Sequence, residues 1–308
     1  MATREASTLI DPGTPARAVG GDARRRLLAG LPVVERRLEL AGVSTAVLEA
    51  GQGRPVVLLH GPGEYGAKWM RVIPELATTH RIIAPDLPGH GASDVPEGAL
   101  DADRVLAWLR ALIEGTCTSR PVLVGHLLGG AIGARFAVDD SDRLRRLVLV
   151  GSFGLGRFRP TPGFAFALIR HLARPTERSH DGLWRRCTVD LDGVRDQMGE
   201  RWEQFAAYNL DRARSPGTKA PLRALMREVG VPAIPPADLA RITVPTTLIW
   251  GRQNSGMRLG VGEAASARYG WPLCVIEGAG DDPAIEQPEA FLEALRPALG
   301  GPDGMGRP

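Results

Sequence analysis

Short runs of consecutive apolar residues punctuate the chain, and between them apolar residues recur at helical spacing. Pro55–Leu59, Arg81–Ala84, Pro121–Val124, Leu147–Val150, Thr246–Trp250 and Leu273–Ile276 are the runs. A continuous apolar run bounded by turn residues is what a strand buried on both faces requires. The segments near Trp69–Thr78, Asp103–Glu114, Gly130–Val138, Gly262–Tyr269 and Pro288–Ala298 read as helices. Strand alternating with helix predicts an α/β fold, a mostly parallel sheet flanked by helices. Upstream, Val34–Leu40 and Ser44–Ala50, joined at Ala41-Gly42, predict an antiparallel opening to that sheet. Asp22–Leu31 has helical character, anchored by Leu27 and Leu28.

The alternation stops between Ser152 and Arg241. Residues 153–241 read as a helical insertion that holds half of the large aromatics: Phe153, Phe158, Phe164, Phe166, Trp184, Trp202, Phe205 and Tyr208. The core is therefore expected in two pieces, 31–152 and 242–299, with residues 1–30 as an N-terminal arm and 300–308 as a disordered tail. Aromatics in such number suit either a lid over an apolar ligand or a small core of the insertion itself.

In open α/β sheets ligands sit beyond the carboxyl ends of the strands. His60, Asp86, Leu127, Ser152, Asn254 and Asp281 all fall at or just after such ends. Gly125-His126-Leu127-Leu128-Gly129 has the G-x-S-x-G form of a nucleophile elbow, with leucine where serine would stand. Trp250-Gly251-Arg252-Gln253-Asn254 and Gly278-Ala279-Gly280-Asp281 follow the last two strands.

With His60-Gly61-Pro62-Gly63, Asp86-Leu87-Pro88-Gly89-His90-Gly91-Ala92-Ser93-Asp94, Leu147–Gly151 and Ile285–Phe291, these motifs resemble the α/β-hydrolase superfamily. Within it, the resemblance is to the esterase, lipase and meta-cleavage-product hydrolase branch. It implies an α/β-hydrolase fold with a helical cap at the insertion and an elbow serine, a W-G-x-x-D aspartate and a G-x-G-H histidine. Here those positions hold Leu127, Asn254 and Asp281, a degenerate triad. Leucine has no heteroatom to attack a carbonyl, and asparagine carries no charge to stabilise an imidazolium. Asp281 is the candidate catalytic residue: burial would raise its pKa into the range of an acid/base for isomerisation, elimination or cyclisation.

The resemblance also implies an oxyanion site made of backbone N–H groups from Leu128 and, because Pro62 has none, from Gly63. Glu64 and Tyr65 follow that loop and are candidates to face a ligand. His60 and His126 are candidates for substrate binding or as substitute bases, at positions where the family commonly uses histidine to hold loops. Ser152 is a candidate for substrate binding and for a displaced nucleophile.

Composition narrows the partners. The net charge is +3, from 38 basic and 35 acidic residues, and Arg24-Arg25-Arg26 reads as a solvated helix face. No nucleic-acid partner is expected. Cys117, Cys187 and Cys274 form no metal-like pattern, so no metal or cofactor is expected, and their sparse, odd number suits a reducing cytoplasm. No apolar run approaches membrane-spanning length, which points to a cytoplasmic protein without a membrane partner. The expected partner is a small apolar carbonyl-type ligand. Homo-oligomers, or pairing with an active homologue, stay open. So do three functions: an enzyme without a serine intermediate, a silent ligand-binding protein, and a scaffold.

Overall fold

The computed structural model describes residues 21–95 and 100–300; the expected disordered tail, apart from Gly300, and residues 1–20 of the arm lie outside the described residues. Strands β1 (Val34–Leu40), β2 (Val43–Ala50), β3 (Arg54–Leu59), β4 (His80–Pro85), β5 (Val122–His126), β6 (Arg146–Val150), β7 (Thr246–Gly251) and β8 (Leu273–Ile276) form one sheet. Their spatial order is β1-β2-β4-β3-β5-β6-β7-β8. The β1–β2 and β2–β4 pairings are antiparallel and the rest parallel. This is the expected α/β sheet, and the central parallel strands β3, β5 and β6 are buried on both faces, as their unbroken apolar runs require, whereas the edge strand β8 is part-buried.

Helix α1 (Gly21–Leu28) precedes the sheet; α2 (Ile73–Leu76), α3 (Ala102–Thr116) and α4 (Leu128–Asp140) connect its first strands. Between β6 and β7 lie α5 (Pro162–Ala173), α6 (Glu177–Cys187), α7 (Leu191–Met198), α8 (Glu200–Arg214), α9 (Lys219–Leu225) and α10 (Pro236–Leu239). The chain continues with α11 (Leu259–Tyr269), α12 (Pro283–Glu286) and α13 (Pro288–Leu299). Among the described residues no helix is long and apolar enough to cross a membrane.

Two expectations are corrected. The helix predicted over Trp69–Thr78 is a 3-10 turn, Gly66–Arg71, followed by α2. Pro74 explains the break, because it has no N–H to continue a ladder and stands at the start of α2 instead. The basic run is not uniformly solvated: Arg24 is buried, pairing with Asp86 Oδ2 at 2.9 Å and Glu35 Oε1 at 2.9 Å and donating to the Tyr208 hydroxyl at 3.1 Å. One arginine thus ties α1 to α8 and to the loop after β4. That loop is itself closed by Asp86, whose carboxylate accepts from Gly66 N (2.6 Å) and Ala92 N (2.7 Å).

The aromatics of the insertion divide. Trp184, Trp202 and Phe205 pack on one another with centroids 5.3 to 5.7 Å apart, forming a core within the insertion. Phe153 and Phe158 pair at 5.1 Å beside the end of β6. Phe166 is exposed.

Candidate functional site

The turn from β5 into α4 positions the site. Gly125 and Gly129 are required there by close approach: a Cβ on Gly125 would lie 2.4 Å from Gly129 O, and one on Gly129 would lie 2.5 Å from Leu59 O. At the apex Leu127 has φ 44° and ψ −103°. A non-glycine residue held so costs about 1–3 kcal/mol and persists only where its surroundings over-determine it. They do: Leu127 N donates to Val150 O, and Leu127 O accepts from Phe153 N and Ala131 N. The strained geometry is complete although its side chain is a hydrocarbon.

Leu127 belongs to the same buried apolar cluster as Leu128, Phe153, Leu225, Val229 and Ile234, and the segment after α9 reaches the elbow at Gly230, where a Cβ would lie 3.3 Å from Leu128 Cδ1. Leu222 of α9 lies over Gly63, 3.9 Å from where a Cβ would be. Leu128 is the first residue of α4, so its N–H has no intrahelical acceptor.

Asn254 and Asp281 stand beside this apex. Asn254 Oδ1 accepts from Met257 N at 2.6 Å, which fixes the amide orientation. Its Nδ2 is buried without a partner and lies 2.9 Å from the place a Gly151 Cβ would take, with Leu127 Cδ2 3.6 Å from the same point. Asp281 Oδ1 accepts from Ser255 N (2.5 Å) and Gly256 N (3.0 Å), the residues that follow Asn254. Burial pushes the Asp281 carboxyl up to about 6, against the opposing pull of those two N–H groups.

The remaining candidates are structural in their contacts. His60 accepts from Leu87 N at Nε2 (2.9 Å) and donates from Nδ1 to Gly61 O (2.8 Å); burial, with His90 nearby, pushes it down to about 3. The Ser152 hydroxyl is fully buried and donates to Phe153 O at 2.7 Å. Tyr65 points away from the elbow into the insertion: its hydroxyl donates to Asn209 Oδ1 at 2.8 Å and its ring meets Tyr208 at 4.5 Å.

Glu64 accepts from Gly61 N at 2.6 Å and belongs to a buried ionic cluster that the sequence pattern did not reveal. Lys68 Nζ stands 3.2 Å from Glu64 Oε2, 3.2 Å from Asp282 Oδ2, and in contact with His126 Nδ1. His126 then donates from Nε2 to Asp281 O at 2.8 Å, carrying the cluster to the loop of the candidate acid/base. One ammonium serves two carboxylates, and they diverge. Burial pushes both up, but Lys68 and His126 hold Glu64 below the usual range, while Asp282 stays raised despite Lys68. Glu286 braces the same loop, accepting from Gly280 N, Asp282 N and Val189 N. The signal for Lys68 was its position four residues after Glu64, within the otherwise uncharged Gly66–Met70. Among the described residues no three His, Cys, Asp or Glu side chains converge as a metal site needs.

The sheet order and the strained strand-to-helix turn define the α/β-hydrolase class. The chain belongs to the alpha/beta hydrolase family, whose model matches residues 56–294. The 2-hydroxy-6-oxo-6-(2'-aminophenyl)hexa-2,4-dienoic acid hydrolase of Metapseudomonas resinovorans is 30% identical over 275 residues, 85% of this chain and 89% of that protein. The meta-cleavage product hydrolase of Pseudomonas fluorescens IP01, solved as a serine-to-alanine mutant complexed with acetates, is 25% identical, with a TM-score of 0.71 over 87% of this chain and 100% of its own. The 2-hydroxy-6-oxo-6-phenylhexa-2,4-dienoate hydrolase of Rhodococcus sp. strain RHA1 shares the fold at 24% identity, with a TM-score of 0.76 over 87% of this chain and 98% of its own.

Proposed function

We propose that this protein binds a small apolar carbonyl compound above the elbow and acts on it by proton transfer through Asp281, with no covalent intermediate. The observation that carries the reading is Leu127: the strained apex is kept while its side chain offers no nucleophile. The degenerate triad of Leu127, Asn254 and Asp281 then becomes a binding surface with one ionisable group. Gly63 and Leu128 N–H hold the carbonyl oxygen, which survives loss of the triad because backbone donors do not depend on side chains. Asp281 is anchored through Oδ1 by two N–H groups, leaving Oδ2 to take the proton. Relatives named for 2-hydroxy-6-oxo-dienoic acids support an unsaturated carbonyl substrate class. The apolar cover from α9 supports an apolar body for it.

Asp281→Asn is expected to lower turnover by about 100-fold or more, the usual size for losing a general base, with little change in ligand affinity because the side chain stays nearly isosteric. Turnover should rise as pH passes about 6, where Asp281 ionises. Its stability contribution runs the other way. A carboxyl raised in the fold favours the folded state below its ordinary pKa, and that stability is lost as pH rises from 3.8 to about 6. Steady-state kinetics and unfolding curves across this window check both signs; an Asn variant with full turnover would remove Asp281 from the chemistry.

A silent binding protein is the second reading. It is favoured by the two N–H groups already satisfied by Asp281 Oδ1. The readings separate on whether a captured ligand is released altered or unchanged.

A further inference from the structure

The outward face of α5 is apolar. At 3.6 residues per turn Pro162, Phe166, Ile169 and Ala173 form one stripe, opposite the buried Ala167 and His171. Phe166 and Ile169 are 69% and 66% exposed, and Leu172 at the edge of the stripe is 43% exposed. A surface helix ordinarily turns polar residues outward. Rolling α5 over would not hide the stripe, because His171 is held inward by Ser179 Oγ at 3.1 Å and by the His180 ring at 6.0 Å.

The surroundings of that stripe are strongly basic. Between Arg157 and Arg186 the sequence holds seven arginines against Glu177 and Asp181, a formal +5 within a chain whose total is +3, and of the seven Arg185 is paired at 2.9 Å with Asp192, beyond that stretch. Asp181 is already engaged by Arg195 at 2.5 Å. Arg157, Arg159, Arg170, Arg174, Arg178 and Arg186 are exposed. Exposed apolar side chains rimmed by cations are the composition of a helix that lies in a membrane interface.

We propose that α5 and its arginine rim dock on an anionic lipid bilayer, with Phe166, Ile169 and Leu172 entering the boundary between headgroups and acyl chains. A second copy of the chain fits worse, since a twofold contact would set like charge against like charge. A nucleic acid would use the arginines and leave the apolar stripe in water. The sequence pattern argues against a membrane partner only in that no apolar run is long enough to span; a helix lying on the surface needs no such run. The proposal is independent of the chemistry at the elbow.

Vesicle flotation of the full chain tests it, with vesicles of phosphatidylcholine alone or with one third of the lipid replaced by phosphatidylglycerol. At least about tenfold more protein is expected on the anionic vesicles, falling as salt is added. The double variant Phe166→Ser, Ile169→Ser should lose this binding with its thermal unfolding unchanged, since both side chains are exposed. Arg157→Gln with Arg174→Gln should weaken it several-fold. Equal recovery on the two vesicle types would overturn the proposal, as would full binding by the Phe166, Ile169 variant, which would reduce the attraction to diffuse charge. Displacement from vesicles by soluble polyglutamate, dependent on Phe166 and Ile169, would reassign the face to an acidic protein.

Discussion

Lys68→Met should lower the unfolding free energy by about 3–5 kcal/mol, the size expected when one partner of a buried charged cluster is removed. Lys68 is 1% exposed and its ammonium is shared by Glu64, Asp282 and His126. Methionine keeps the length and the apolar contacts, so the loss reports the charge. The deficit should grow with pH. Without Lys68 the folded-state pKa values of Glu64 and Asp282 both rise, and groups raised in the fold lose their stabilising contribution as pH climbs through the carboxylate range. Adding Asp282→Asn should recover part of it, because a buried carboxylate is then removed with its cation. Denaturant unfolding at mildly acidic and neutral pH measures all three effects. A loss below about 1 kcal/mol would mean that the pair behaves as a surface one.

The second large effect concerns the elbow. Leu127→Ser alone is expected to give no ester hydrolysis above background, because the hydroxyl would lack an imidazole base and the carboxylate that orients it. Adding Asn254→Asp and Asp281→His supplies the base and a carboxylate to orient it. The frame favours the repair: the apex already holds φ 44°, and Asn254 places a buried, unpartnered Nδ2 where an aspartate would present an acceptor oxygen. Residues of a triad act as a unit worth about 10⁶ in rate, so partial repairs should fall far short of the triple variant. Hydrolysis of a p-nitrophenyl ester by the single, double and triple variants reads this out. A triple variant that folds without activity would show that the cover from α9 or the Ser255–Gly256 turn no longer admits a working geometry.

Much of the fold was legible because its signals are local. Buried parallel strands write themselves as unbroken apolar runs, and the elbow glycines sit where strand, turn and helix approach too closely for any Cβ. Pro74 also left a local mark, but the helical pattern around it hid the break. What escaped depends on contacts distant along the chain. Tyr65 follows the His60–Gly63 loop and so looked pocket-facing, yet Asn209 and Tyr208 of α8 claim it. Arg24 looked like one of three solvated arginines until Asp86 and Tyr208 enclosed it. Asp281 was legible as a position; its anchoring to Ser255 and Gly256 depended on how the turn after β7 meets the one after β8.

Whether the elbow acts without a nucleophile is most directly tested by intact-protein mass spectrometry after exposure to a fluorophosphonate. The native chain should keep its mass, because Leu127 cannot react and the Ser152 hydroxyl is buried against Phe153 O. The triple variant should gain one adduct at position 127. A stoichiometric adduct on the native protein, mapped by peptide digestion to Ser152 or Ser255, would contradict the proposal and restore a covalent mechanism.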